Sequence, residues 1–315
     1  AANLFLLIFF ILNFASFARA QESLIHLADP SIFYHDKTYY LYGTGENERG
    51  QGFKVYTSQD KKTWIDRGQA LKKGEAFGSS GFWAPQVFSH EGKFYMAYVA
   101  NENIAIAESD SPLGPFRQAV RKSLAAPVRM IDPFVFFENG KIYLYHVRLD
   151  AGNRIFVAEM NSDMQSIKEE TVKECINGSE KWENTWQSDW PVTEGPTVLK
   201  HENLYYLFYS GNDFRNPDYA VGYATSRHPL GPWKKFQDNP ILSKAETGEN
   251  GTGHGDFFSD SKGRMYYVFH VHESNKQPNG KRRTSIVEVN WVDVPKSIDS
   301  LNIKKETFRF LKKKK

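Results

Sequence analysis

Hydrophobic and polar positions along this chain fall into one phrase written five times: a short apolar run, a polar turn, then a second run rich in Tyr and Phe. The copies are DPSIFYHDKTYYLYGT from Asp29, APQVFSHEGKFYMAYVA from Ala84, DPFVFFENGKIYLYHVR from Asp132, GPTVLKHENLYYLFYSG from Gly195 and GDFFSDSKGRMYYVFHV from Gly255. Turns of Asp, Asn, Glu or Gly between β-branched and aromatic runs are the signature of a β-hairpin. A weaker repeat follows each hairpin: VYTSQDKKTWIDRG from Val55, IAIAESDSPLGPFRQ from Ile104, IFVAEMNSDMQSIKEE from Ile155, VGYATSRHPLGPWKKF from Val221 and SIVEVNW from Ser285. It reads as a third strand, a turn and an outer fourth strand, with Pro-Leu-Gly-Pro marking the turn twice. The hairpins start 55, 48, 63 and 60 positions apart, a period that fits propeller blades carrying loop insertions. The expectation is an all-β chain folded as a five-bladed β-propeller with few helices. The fifth copy lacks a clear fourth strand, so either a segment near Leu24 to Leu27 or the C-terminal stretch must complete it. A β-sandwich would share the alternation, but not a Pro or small residue at one fixed point before each inner strand.

Composition agrees with strands: aromatics make up 15% of the 315 residues. The formal charge of +3 includes four lysines, Lys312 to Lys315, read as a frayed and solvated basic tail. Without that tail the balance is slightly negative, which leaves no electrostatic footprint for nucleic acid or a membrane surface. A monomer with small or neutral partners is expected. Residues 1–20 read as a signal peptide: Leu4 to Leu12 is a continuous apolar run, too short to span a bilayer, and Ala18-Arg19-Ala20 precedes Gln21 as a small-x-small cleavage site. The sequence begins with Ala and lacks a charged start, as a truncated leader would. Residues 21–315 are then expected to be a single catalytic domain in a secreted or periplasmic protein. Cys175, the single cysteine, excludes an internal disulfide framework and a cysteine-based zinc cluster.

The first strand of each blade lines a propeller's axis, so residues at its start surround one mouth of the tunnel. Asp29, Asp132 and Glu194 stand at or one position before those starts. One Asp-Pro pair alone is a turn signal. Carboxyls gathered from distant blades raise at least one pKa among themselves, and glycoside hydrolysis uses that tension: one carboxyl stays protonated while another stays ionised.

These pieces together, LADPSIF, FWAPQVF, MIDPFVF, VTEGPTVLKHENLYYLFYSG and GTGHGDF, resemble glycoside hydrolase family 43 over about residues 24 to 292. The resemblance implies a five-bladed propeller acting on plant cell-wall pentosans with inversion at the anomeric carbon. It implies Asp29 as general base, Glu194 as general acid, and Asp132 as the residue that raises the acid's pKa and positions it. An inverting pair stands roughly 6.5–9.5 Å apart, with room for a water. Aligning the Pro-containing positions sets Gly195, not Glu194, beside Asp29 and Asp132. Either the strand begins only after the Pro, or a bulge re-aims Glu194.

Trp83 and Phe82 are candidates for an aromatic wall against the sugar, with core packing as the alternative. His254 matches the family position that approaches the axis, and in many members a bound cation or its water shell. Any such ion should resemble calcium or sodium, because the other ligands at hand are oxygens. Of Arg282 and Arg283, the second is the expected substrate arginine, against a solvated KRR loop. The function expected is release of terminal pentoses, foremost by an α-L-arabinofuranosidase. Alternatives in the family are a β-xylosidase or an endo-acting arabinanase or xylanase. Outside it stand a non-catalytic carbohydrate-binding propeller, which would not need all three acids, and a sialidase-like propeller, which would need an arginine cluster and a tyrosine nucleophile. No cofactor is expected for the chemistry.

Overall fold

The computed structural model describes residues 22–45, 50–295 and 297–314, without the side chains of 277–280. The expected signal peptide lies outside the described residues. Five small antiparallel sheets form the five blades of a β-propeller, each led by an inner strand: Leu27–His35, Trp83–His90, Met130–Glu138, Thr193–His201 and Gly253–Ser259. The second strands are Thr38–Gly45, Lys93–Ala100, Lys141–Leu149, Leu204–Gly211 and Met265–Ser274, in the places the repeat assigns them. Blade two has three strands, and its fourth position is held by one bridge from Glu108 to Arg117. The α-helix among the described residues is the single turn Lys244–Thr247.

Turn chemistry explains the hairpins. Asp36 and Lys37 both have positive φ, as do Glu91 and Gly92, and Asn139 and Gly140. Two left-handed residues in a two-residue loop make the turn whose twist matches the strands it joins. Alternation then places apolar side chains on both faces of each blade, where the neighbouring blades cover them. The core is accordingly divided into wedges between blades. Tyr42, Phe53 and Val55 of blade one meet Val87, Met96 and Tyr98 of blade two, and Leu41 and Trp64 on its other side meet Tyr266 and Val268 of blade five.

Both termini close the ring. The fourth strand of blade five is the C-terminal Ser300–Phe310. The chain then crosses to blade one, where Lys312 and Lys313 pair in parallel with Thr63 and Trp64, while Glu22–Leu24 pairs antiparallel with Lys312–Lys314. Lys312 to Lys314 of the basic tail are therefore not a frayed end: strand pairing uses main-chain groups and does not depend on the charge of the side chains. Lys313 also sits over the Tyr56 ring at 5.5 Å. Between these strands Ile25 donates to Leu311 O and accepts from Thr284 N, both at 3.0 Å. The buried Thr284 hydroxyl donates to Leu27 O at 3.0 Å and accepts from Leu27 N at 3.1 Å.

Thr284 thus ties the first blade to the last. Thr284→Val keeps the shape and removes both hydroxyl contacts, so it should lower unfolding stability by about 1–3 kcal/mol, read as a lower urea midpoint with unchanged slope. A midpoint equal to that of the unaltered protein would show that closure does not depend on this hydroxyl.

Candidate active site

At the mouth of the axis all five inner strands carry the same irregularity. Pairing skips between Ala28 and Ser31, Trp83 and Gln86, Ile131 and Phe134, Glu194 and Thr197, and Gly253 and Gly255. The first residue in each gap is left-handed: Asp29 (φ 47), Ala84 (44), Asp132 (53), Gly195 (61) and His254 (44). This is a β-bulge repeated around the ring, and it bends each strand and re-aims the side chains beside it. Of the two ways to reconcile Glu194 with the Asp-Pro register, the bulge is the one present. Asp29, Asp132 and His254 stand in the bulge and Glu194 just before it. Gly195 takes the bulge position in blade four because a Cβ there would lie 2.8 Å from the His254 ring.

The three acids meet at one cavity of ≈ 930 Å³. Asp29 Oδ1 lies 3.3 Å from His254 Nδ1 and 3.6 Å from Arg282 Nη1, and its Oδ2 accepts from the Thr44 hydroxyl at 2.6 Å. His254 Nδ1 is also 3.8 Å from Asp132 Oδ2, which accepts from the Gly195 N–H at 3.0 Å. Glu194 has a different kind of partner. Its Oε1 accepts from the Tyr219 hydroxyl at 2.8 Å and its Oε2 from the Asn153 amide at 3.0 Å, both of them neutral donors.

These partners separate the acids in charge state. Burial alone would raise Asp29, but the His254 ring, the Arg282 guanidinium and the Thr44 hydroxyl hold its carboxyl down at about 2. Burial pushes Asp132 up and the nearby Asp29 charge adds to it, with the Gly195 N–H opposing only in part. Burial likewise pushes Glu194 well above the ordinary carboxyl range, reinforced by Asp132. The cavity therefore holds an ionised carboxylate and a carboxyl that keeps its proton, the pairing that acid–base hydrolysis of an acetal requires. His270, which accepts from the Asp29 N–H through Nδ1 at 3.1 Å, is kept neutral by burial.

Trp83 is half-buried and lines the cavity. Phe82 also reaches the wall but is buried, its ring T-shaped to Phe53 and stacked on Tyr98, so it belongs mainly to the wedge between blades one and two. The arginine expectation needs correcting. Arg282 pairs with His272 and Arg283 with Val271, so the two side chains leave opposite faces of one strand. Arg282 lines the cavity, with its guanidinium 4.7 Å from the Phe214 ring. Arg283 points away, over Phe310 at 4.3 Å and 2.6 Å from Glu249.

His254 lies on the axis, with Nδ1 turned to the carboxylates. Among the described residues no three His, Cys, Asp or Glu groups converge there at metal-ligand range. Residues the sequence reading did not single out are Thr44, Asn153, Trp190, Tyr219 and His270. A signal existed for two of them: Thr44 and His270 stand opposite the residue before the bulge and put polar groups among the buried apolar residues of the second strands.

Comparison with known proteins agrees with this geometry. The family model for glycosyl hydrolases family 43 matches residues 25–294. A crystal structure titled endo-1,4-β-xylanase from Bacteroides thetaiotaomicron superposes with a TM-score of 0.86 at 39% identity, covering 94% of this chain and 100% of that one. A β-D-galactofuranosidase of Aspergillus niger is 24% identical over 283 residues, 82% of this chain and 78% of its own. An extracellular exo-α-(1→5)-L-arabinofuranosidase of Cellvibrio japonicus is 23% identical over 302 residues, 85% of this chain and 84% of its own. With the propeller, the acid-lined cavity and a family match across most of the described residues, the chain belongs to glycosyl hydrolases family 43 and is an O-glycosyl hydrolase.

Proposed function

We propose that the enzyme removes terminal pentoses from plant cell-wall polysaccharide with inversion, acting as an α-L-arabinofuranosidase. The observation that carries the hydrolytic reading is the opposite displacement of two carboxyl pKa values in one cavity: Asp29 down, Glu194 up. Asp29 takes a proton from water as the water attacks the anomeric carbon, and Glu194 gives its proton to the departing glycosidic oxygen. Asp132 holds the Gly195 N–H and, by its proximity, opposes ionisation of Glu194. Trp83 forms part of the wall against the sugar, and Arg282 replaces Arg283 as the arginine toward substrate. A calcium-like or sodium-like cation on the axis, held by His254 and water, would supply positive charge beneath the carboxylates. The pentose assignment draws on relatives whose names include exo-acting arabinofuranosidases. A second reading, action on xylan, is favoured by the 39% identity to the structure titled as a xylanase.

A panel of arabinosylated and xylose-based oligosaccharides, followed by NMR from the first minutes, tests sugar and stereochemistry together. The expected result is release of arabinose as the inverted anomer. Release of xylose oligomers would select the second reading, and a retained anomer would overturn the water-attack mechanism.

Asp29→Asn should lower kcat by about 10²–10⁴-fold with every leaving group. Glu194→Gln should do so for sugar or methyl leaving groups but cost less than about tenfold for dinitrophenyl glycosides, which depart with little protonation. Equal losses on both substrate types for Glu194→Gln would remove its assignment as acid.

The pH dependence follows from the raised Glu194 value. Protonated Glu194 is the active form, so kcat/KM should persist through neutral pH and fall as pH rises through that raised pKa. An activity loss centred near the unperturbed 4.5 would contradict the buried environment described above.

A further inference from the structure

Two hydrogen bonds in series connect Glu194 to the exposed wall of the cavity. Asn153, the first residue of a blade-three strand, is pinned through its backbone: its N–H donates to Pro191 O at 3.0 Å, and its carbonyl accepts from the Thr193 hydroxyl at 3.1 Å. Its buried side chain donates through Nδ2 to Glu194 Oε2 at 3.0 Å and accepts through Oδ1 from Trp190 Nε1 at 2.9 Å. A primary amide can present either end after a half-turn. Indole Nε1 is only a donor, so it can meet only the oxygen end. Trp190 therefore decides that the NH₂ end faces Glu194.

Trp190 is 46% exposed and lines the same cavity. We infer that Asn153 and Trp190 are positioning residues for Glu194, and that the Trp190 ring is the platform for the sugar on the leaving-group side. This rests on the reading of Glu194 as proton donor. A donor must lie within hydrogen-bond reach of the glycosidic oxygen, so the ring departing with that oxygen lies on the donor's side of the cavity. Arg282, with Phe214 against it, is tied instead to Asp29, on the side of the sugar that is released. An aromatic face suits the apolar face of a pyranose or furanose ring. A sugar laid on the indole holds its Nε1 edge against Asn153, so occupancy of the leaving-group side and alignment of the acid are one event.

The test separates the ring from its N–H. Trp190→Phe keeps an aromatic face and loses the donor; Trp190→Ala loses both; Asn153→Ala removes the amide while its pinned backbone keeps the loop in place. Each is compared with Glu194→Gln on a methyl glycoside, a disaccharide and a dinitrophenyl glycoside of the released sugar. For Trp190→Phe and Asn153→Ala, kcat on the methyl glycoside and the disaccharide should fall about tenfold, the value of one hydrogen bond, with a smaller loss on the dinitrophenyl glycoside. KM should stay within about twofold for Trp190→Phe, whereas Trp190→Ala should raise KM at least about tenfold for the disaccharide and not for the methyl glycoside.

A Trp190→Phe enzyme with unaltered kcat on the methyl glycoside, or with equal losses on all three substrates, would overturn the positioning role. An unchanged disaccharide KM in Trp190→Ala would overturn the platform. If Glu194→Gln itself shows no dependence on leaving group, the acid assignment has failed instead, so the two failures are distinguishable.

Discussion

Carboxyl groups buried together around one imidazole cannot all be ionised, and the arrangement at the axis is organised by that electrostatic conflict. His254 Nδ1 lies 3.3 Å from one carboxylate and 3.8 Å from another. The Arg282 guanidinium lies 3.6 Å from Asp29 and is the smallest of the influences on Asp132, so the negative charge settles on Asp29 and the proton stays with the pair formed by Asp132 and Glu194. Burial is common to the three acids; the charge of their partners distinguishes them.

Bringing the acids together has a conformational cost. Asp29, Asp132 and His254 are held at positive φ, each at a cost of order 1–3 kcal/mol. Such strain persists only where the surroundings leave no alternative. Here the inner strands are fixed by hairpin partners on one side and by apolar wedges on both faces, and the ring cannot relax by opening because the termini are stitched across blades one and five. The termini and the acids are distant in the sequence yet mechanically linked: Leu27, bonded twice to Thr284, lies two residues before Asp29.

The sequence made the blades legible because turn chemistry and alternation act locally and are written five times over. The acids were legible because a repeat gives each position a known place in space. What local patterns do not carry is the join between blades. Arg282 and Arg283 are adjacent in a strand whose register is set by pairing with His272 and Val271, so the choice between them needs the partner strand. Tyr219 and Asn153 reach Glu194 from 25 and 41 positions away, and nothing in their own neighbourhoods marks them. The tail misled because charge predicts solvation of side chains and says nothing of whether the main chain pairs.

The type of donor offered to Glu194 also matters over a full cycle. In the proposed mechanism this residue alternates between acid and anion at each turnover, whereas Asp29 begins each cycle ionised. A cation against Glu194 would favour the anion throughout and oppose reprotonation. A phenol and an amide accommodate both forms, since each is neutral and hydrogen-bonds to carboxyl and carboxylate alike. Neutral donors hold the geometry without dictating the charge. Burial beside Asp132 can then set the resting state, and the Asn153 amide, oriented by Trp190, can hold the carboxyl in place while its proton leaves and returns.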